Sequence, residues 1–235
     1  MLTEIALAPR TGRGRVCRLK SAVGRTRAMT ECREESMDPK LAALLDELET
    51  FGREFDAKTP DHDVKMRNIT HEVGEFLTLL IRATRARRIL EIGTSNGYST
   101  LWLAQAVQAT GGTVTTLELL PRKAEMARAN FARANLLSTI HLHLGDAGAF
   151  LKEQPSESFD FIFLDSERHL YVGWWPDLQR VLASGGLMIA DNAVSHAAEI
   201  KEWATLVRQT PGYLTSLAPV GKGEFIVLKP GPGAS

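Results

Sequence analysis

The run Arg88-Ile-Leu-Glu91-Ile-Gly93-Thr-Ser95-Asn-Gly97-Tyr-Ser99-Thr is an apolar stretch that opens into a glycine-bearing turn and leads directly into a helical pattern. A ligand can approach backbone closely at such a turn, and the free amides of the helix start favour polar or anionic groups. Ser95 stands where G-x-G-x-x-G requires its second glycine, so a pyrophosphate would meet a side chain and NAD or FAD is disfavoured. About 25 residues past Gly93, Val114-Thr-Thr-Leu-Glu118 ends in a carboxylate able to accept hydrogen bonds from both hydroxyls of a ribose. A third run ends in Leu144-Gly145-Asp146-Ala147, a glycine and an acid suited to flank an adenine ring and meet its amino group. The chemistry this favours is capture of a nucleoside without pyrophosphate. Each residue also has a plain structural role open to it: Gly93 and Gly97 as turn formers, Glu118 and Asp146 as helix N-caps.

The elements that must position these residues follow from periodicity. Asp38-Pro39 begins a helix whose stripe is Leu41, Leu44, Leu45, Leu48, Phe51 and Phe55. A second helix after Thr70 is expected to bury Val73, Phe76, Leu77 and Leu80 before the basic turn 85–88. From there short β-rich runs at 88–92, 113–118, 139–144, 159–164 and 186–190 alternate with helical segments such as 121–136 and 173–184, which predicts a parallel sheet covered by helices. A last helix near 196–209 precedes runs 213–218 and 224–228, joined by the turn-like Val220-Gly-Lys-Gly223 and read as an antiparallel hairpin.

Composition narrows the partners. Twenty-eight basic and 28 acidic residues cancel, so no overall field gathers nucleic acid or anionic lipid. No apolar run approaches the ~20 residues that span a bilayer and the start lacks a secretory apolar core, so a cytoplasmic location is expected. Cys17 and Cys32 both lie in the first 36 residues, which leaves the rest without a thiolate framework. Residues 1–36 form a basic extension expected to be disordered. A transit peptide shares their arginine-rich character, but an over-long start, with Met29 and Met37 ahead of the first periodic segment, is the reading adopted. One domain is expected over 37–229, with a flexible tail at 230–235.

Glu91, Gly93, Gly97, Glu118 and Asp146, in this order on successive strand ends, resemble the cofactor-binding motifs of class I S-adenosylmethionine methyltransferases. Phe159-Asp-Phe-Ile-Phe-Leu-Asp165 and Gly185-Gly-Leu-Met-Ile-Ala-Asp191-Asn192 narrow the resemblance to the cation-dependent catechol and caffeoyl-CoA O-methyltransferases. It spans roughly residues 61–229, including Gly223-Glu-Phe225, where the family has a glycine-containing turn near its substrate pocket.

The resemblance implies a Rossmann-like, doubly wound α/β sheet of seven strands in order 3-2-1-4-5-7-6, strand seven antiparallel, with helices on both faces. It assigns the donor, S-adenosylmethionine, to Glu91, Gly93, Ser95, Gly97, Ser99, Glu118, Leu119, Asp146, Ala147 and Asp165. It assigns a divalent cation to Asp165, Asp191 and Asn192, hard oxygen ligands suited to Mg²⁺, with Ca²⁺ or Mn²⁺ as alternatives. Asp165 serving the donor's amine, with Asp191-Asn192 capping a helix, is the metal-free alternative. The acceptor implied is a small catechol-like or phenolic hydroxyl, and similar enzymes are often homodimers. One departure matters: the family commonly places a lysine base three residues past the metal-binding aspartate, where this chain has Arg168, and arginine cannot deprotonate a hydroxyl. Arg168 is assigned instead to pairing with an ionised acceptor oxygen, the proton leaving to water or His169. His169 and His196 otherwise read as surface residues, and Trp174 and Trp175 as packing.

Two rival classes remain. Gly93-Thr-Ser95-Asn-Gly97 fits G-x-S-x-G, with acids and His196 following in the order of a serine esterase, but that fold needs strands and an oxyanion loop before the elbow. A non-catalytic nucleoside-binding protein would keep Glu91, Gly93 and Glu118 without needing three metal-type ligands.

Overall fold

The computed structural model describes residues 37–61 and 64–231. The basic extension 1–36, and the tail beyond Gly231, lie outside the described residues.

Two helices come first. In α1 (Pro39–Lys58) the Asp38 carboxylate accepts from the Lys40 amide at 2.9 Å, and proline follows at the first helical position, which stops the start from fraying. Leu41, Leu44, Leu45 and Leu48 are buried. Phe51 departs from the expected stripe and is 40% exposed, because the buried position of that turn is Gly52, whose missing side chain admits Asn68. In α2 (His71–Thr84) Val73, Leu77 and Ile81 are buried while Phe76 and Leu80 are half-buried. Gly74 faces the indole of Trp102, which would collide with any Cβ there.

The alternating part runs β1 (Arg88–Ile92), α3 (Tyr98–Gln108), β2 (Thr113–Glu118), α4 (Pro121–Arg133), β3 (Ile140–Leu144), α5 (Ala147–Glu153), β4 (Phe159–Leu164), a 3-10 turn at Arg168–Leu170, α6 (Tyr171–Val181), β5 (Leu182–Ala190), α7 (Ala197–Gln209), β6 (Leu214–Ala218) and β7 (Glu224–Leu228). The sheet order is β3-β2-β1-β4-β5-β7-β6, with β7 antiparallel to both neighbours, as the resemblance implied. Several boundaries moved; α6, expected over 173–184, runs Tyr171–Val181 because Leu182 already begins β5. α4 ends three residues early because Asn135 takes the left-handed conformation at φ 56°. β5 starts at Leu182 because a register shift opposite Phe159–Phe161 accommodates the Ala183–Gly186 stretch as irregular strand.

Side-chain alternation sorts the central strands between two cores. Ile89, Phe161, Phe163, Leu187 and Ile189 pack with α1, α2, α3 and α4 on one face. Leu90, Ile92, Ile162, Leu164, Met188 and Ala190 pack with α5, α6 and α7 on the other. Near-continuous apolar strands buried on both sides are what a parallel sheet requires. Among the described residues no helix is long and apolar enough to cross a membrane.

Candidate active site

Strand order reverses between β1 and β4, so the loops leaving their carboxyl ends diverge and open a crevice. The β1 turn is fixed by backbone: the amides of Gly93 and Thr94 both donate to the Leu117 carbonyl at 3.1 Å. Gly93, at φ 113°, lies so close to β4 that a Cβ would stand 2.1 Å from the Asp165 carbonyl oxygen; at Gly97, φ 87°, one would meet Phe131 at 2.5 Å. These glycines hold the crevice walls together as well as shaping a turn.

Ser95 also takes a left-handed conformation, φ 50°. Its amide donates to Glu118 Oε2 at 2.7 Å and its hydroxyl to the Met66 carbonyl at 2.8 Å. Glu118 Oε1 accepts from the Leu120 amide at 2.9 Å. Each carboxylate oxygen keeps a second lone pair for a ligand. Leu119 beside it is 66% exposed and forms a lip. Met66 is held from its other side, since Asp56 accepts from the Met66 and Arg67 amides at 2.7 and 2.8 Å. The segment between α1 and α2 is thus tied both to α1 and to the glycine turn.

Glu91 sits behind this turn with no exposed surface. Ser99 and Thr116 donate to it at 2.6 Å each, and Thr100 donates to the same carboxylate. The Thr94 hydroxyl bonds that of Thr116 at 2.6 Å. Burial pushes Glu91 up to about 7 despite its hydroxyl donors. Its contacts are therefore with the chain, and it orients Ser99. Asp146 caps α5 by accepting from the Ala149 amide at 2.8 Å, with Ala147 buried behind it. Asp146 also lines a cavity of about 450 Å³ with Gly148, Lys152, His169 and Trp174. Trp174 packs against Tyr171 while lining this cavity, and Trp175 packs among Trp203 and Tyr213.

On the far side of the crevice Asp165 follows β4 and Asp191-Asn192 follow β5. The Asp165 amide donates to Ile92 and that of Asp191 to Leu164, both at 3.0 Å, extending the parallel ladder so that the two acids end adjacent strands. Desolvation of its carboxyl, then the Asp191 charge, raise Asp165 well above the usual carboxylate range, while the Arg168 guanidinium opposes them. Asn192, at φ 63°, donates its amide nitrogen to Asp191. Half a turn about its terminal torsion would offer the oxygen instead. Arg168 lies on the 3-10 turn, its side chain 10% exposed and Nη1 3.5 Å from Glu199, with Nε buried and unpartnered. Among the described residues no group of three or more His, Cys, Asp or Glu side chains is arranged to hold a metal ion. A cation here would rely on two carboxylates, the Asn192 amide and water.

The esterase reading fails on these contacts. The Ser95 hydroxyl is committed to Met66, and His196 bonds Ser195 at 2.8 Å instead. Among the described residues only helices precede β1. His169 is exposed, 3.8 Å from Glu167.

Sequence reasoning missed Glu224, the first residue of β7. It is wholly buried, with both carboxyl oxygens unpartnered. Burial and the neighbouring Asp191 and Asp165 push it far above the usual carboxylate range. Gly223-Glu-Phe225 marked only the start of the strand; the β5–β7 register, with Phe225 opposite Ala190, is what brings Glu224 level with Asp191.

A reversal point flanked by a glycine turn and a carboxylate at the end of β2 defines a Rossmann-like α/β protein. The chain belongs to the O-methyltransferase family, whose model matches residues 34–210. It is 36% identical over 157 residues to a catechol O-methyltransferase of Mycobacterium tuberculosis, covering 67% of this chain and 66% of that one. It is 34% identical over 141 residues to a catechol O-methyltransferase of Niastella koreensis, covering 59% and 63%. The match thus spans just under two thirds of these relatives' lengths. An O-methyltransferase from Bacillus cereus, solved in complex with SAH, superposes with a TM-score of 0.69 at 28% identity, covering 84% of this chain and 93% of that one.

Proposed function

We propose that the chain transfers a methyl group from S-adenosylmethionine to a hydroxyl of a small catechol-like or phenolic acceptor, with a divalent cation at Asp165, Asp191 and Asn192. The observation that carries this is the convergence of the Gly93–Gly97 turn, Glu118 and the Asp165–Asp191 pair on one crevice at the sheet's reversal point. Two relatives named catechol O-methyltransferase support the acceptor class.

In this reading Glu118 takes the donor's ribose, Asp146 its adenine end, and Ser99, oriented by Glu91, the amino-acid end. The donor supplies an electrophilic sulfonium methyl; an O–C bond forms as the C–S bond breaks, the electron pair passing to sulfur and the hydroxyl proton to water. A cation would supply positive charge that favours the ionised acceptor oxygen. Asp165 and Asp191 bring hard oxygen donors of the right kind, and Arg168 adds fixed positive charge without acting as a base. The chain's main contribution is alignment, since holding nucleophile and methyl in line removes most of the entropic cost of encounter.

The test is an acceptor screen that monitors S-adenosylhomocysteine formation from catechols, phenolic acids and their thioesters, with and without Mg²⁺. Turnover of catechols supports the reading, and silence across the panel in a protein that binds the donor rejects the acceptor class.

A further inference from the structure

β3 stops beside the acid that ends β2: the Gly145 amide donates to the Glu118 carbonyl at 2.9 Å, and Asp146 follows. A ligand with its ribose on Glu118 thus has next in its path the cavity of about 450 Å³ between α5 and α6, a size usual for small-molecule sites. Two polar atoms meet at one point of its wall. A Cβ on Gly148 would lie 2.9 Å from Trp174 Nε1 and 3.2 Å from Asp146 Oδ1, so this glycine keeps open the place where an indole N–H and a carboxylate converge. Asp146 Oδ1 already accepts from the Ala149 amide at 2.8 Å, which leaves Oδ2 for a ligand. Among the described residues no acceptor takes the indole N–H.

Trp174 is held still. Its ring lies 5.9 Å from that of Tyr171, tilted by 32°. The buried Tyr171 hydroxyl is itself fixed, donating to the Ser166 carbonyl at 3.2 Å and accepting from the Ser166 amide at 3.0 Å. A half-buried indole braced in this way has little freedom left to lose when a ligand binds. Adenine carries its 6-amino donor beside ring-nitrogen acceptors, the complement of a carboxylate beside an N–H. A 6-oxo purine would turn an oxygen toward the carboxylate instead.

We propose that Trp174 is a specificity-determining residue of the donor site: its indole N–H donates to a ring nitrogen of adenine while Asp146 accepts from the 6-amino group, so that the pair selects adenine over a 6-oxo purine. This rests on the placement of the donor's adenine end at Asp146 given above.

The test is calorimetric titration of the full chain with S-adenosylhomocysteine and with S-inosylhomocysteine, its 6-oxo analogue. Wild type is expected to bind the adenine ligand at least about 10-fold more tightly, the scale of a lost hydrogen bond to a charged group. Equal affinities overturn the inference. Trp174→Phe keeps a ring on Tyr171 but removes the N–H, and is expected to weaken S-adenosylhomocysteine about 3- to 10-fold while hardly changing the 6-oxo analogue. Unchanged affinities, or an equal loss for both ligands, overturn the inference. If W174F does not fold, Gly148→Ala carries the test, since alanine suits a helix better than glycine yet its methyl displaces the indole. A reduced preference for adenine then supports the inference, and an unchanged one overturns it. Asp146→Asn keeps a capping side chain on α5 and separates this inference from the reading beneath it. A preference lost in D146N but kept in W174F overturns the role of Trp174 alone, whereas one that survives D146N overturns the adenine placement as well.

Discussion

The Ser95 amide donates to Glu118 Oε2 at 2.7 Å, so the acid that ends β2 also closes the turn that ends β1. With the donor's ribose on Glu118 as proposed, Glu118→Ala removes those contacts and loosens the turn together. Calorimetry should find S-adenosylhomocysteine binding weakened by ~1–3 kcal/mol, the scale of charge-assisted hydrogen bonds. Unchanged affinity in a folded variant would limit Glu118 to closing the turn.

Asp191 and Asp165 make separable predictions. With a cation at the site, chelation or Asp191→Ala should cut turnover by roughly 100-fold or more while donor affinity hardly moves. The metal-free alternative expects chelators to do nothing and Asp165→Ala to weaken donor binding.

Gly93→Ala tests how closely β1 and β4 approach. The substitution places a methyl 2.1 Å from the Asp165 carbonyl at a φ of 113°. Steric overlap and left-handed strain together should cost about 2–5 kcal/mol, read as a lower urea midpoint. A loss below about 0.5 kcal/mol, the usual range for surface changes, would show that the strands separate freely.

Glu91 should make stability fall with rising pH. Its folded value of about 7 lies above the ordinary 4.5, so between those values the folded chain binds more protons than the unfolded one. The penalty grows as pH rises through that window and is complete above 7, about 3 kcal/mol at 1.36 kcal/mol per unit. Glu91→Gln removes this slope, so its stability relative to wild type should improve between pH 5 and pH 8. A constant difference would show that Glu91 does not titrate in that range.

Much of this was legible in the residues, for reasons that differ by element. The strands of the sheet centre declared themselves through apolar runs bounded by glycine and acid, and the acids ending β1, β2, β4 and β5 fall at motif spacing. Glu91 could be placed but its surroundings could not. Its donors Thr100 and Thr116 come from a helix and a neighbouring strand, and only strand pairing unites them. Phe51 misled because helical period alone does not reveal that Gly52 makes room for Asn68. Glu224 stayed hidden because its neighbour Asp191 is distant in sequence and meets it only through antiparallel register.

The position of β7 also governs the order in which the domain can be finished. β7, which follows β6 in the chain, lies between β5 and β6 and pairs with both. Until residues 224–228 have left the ribosome, β5 presents an unpaired edge of Leu187, Met188, Ile189 and Ala190, an apolar template for pairing with other chains. Removal of β7, Glu224–Leu228, would thus do more than shorten the protein. It would leave Asp191 without the strand beside it and β5 with an open apolar edge prone to pairing with other chains, so the pairing of β7 is the step that completes the sheet.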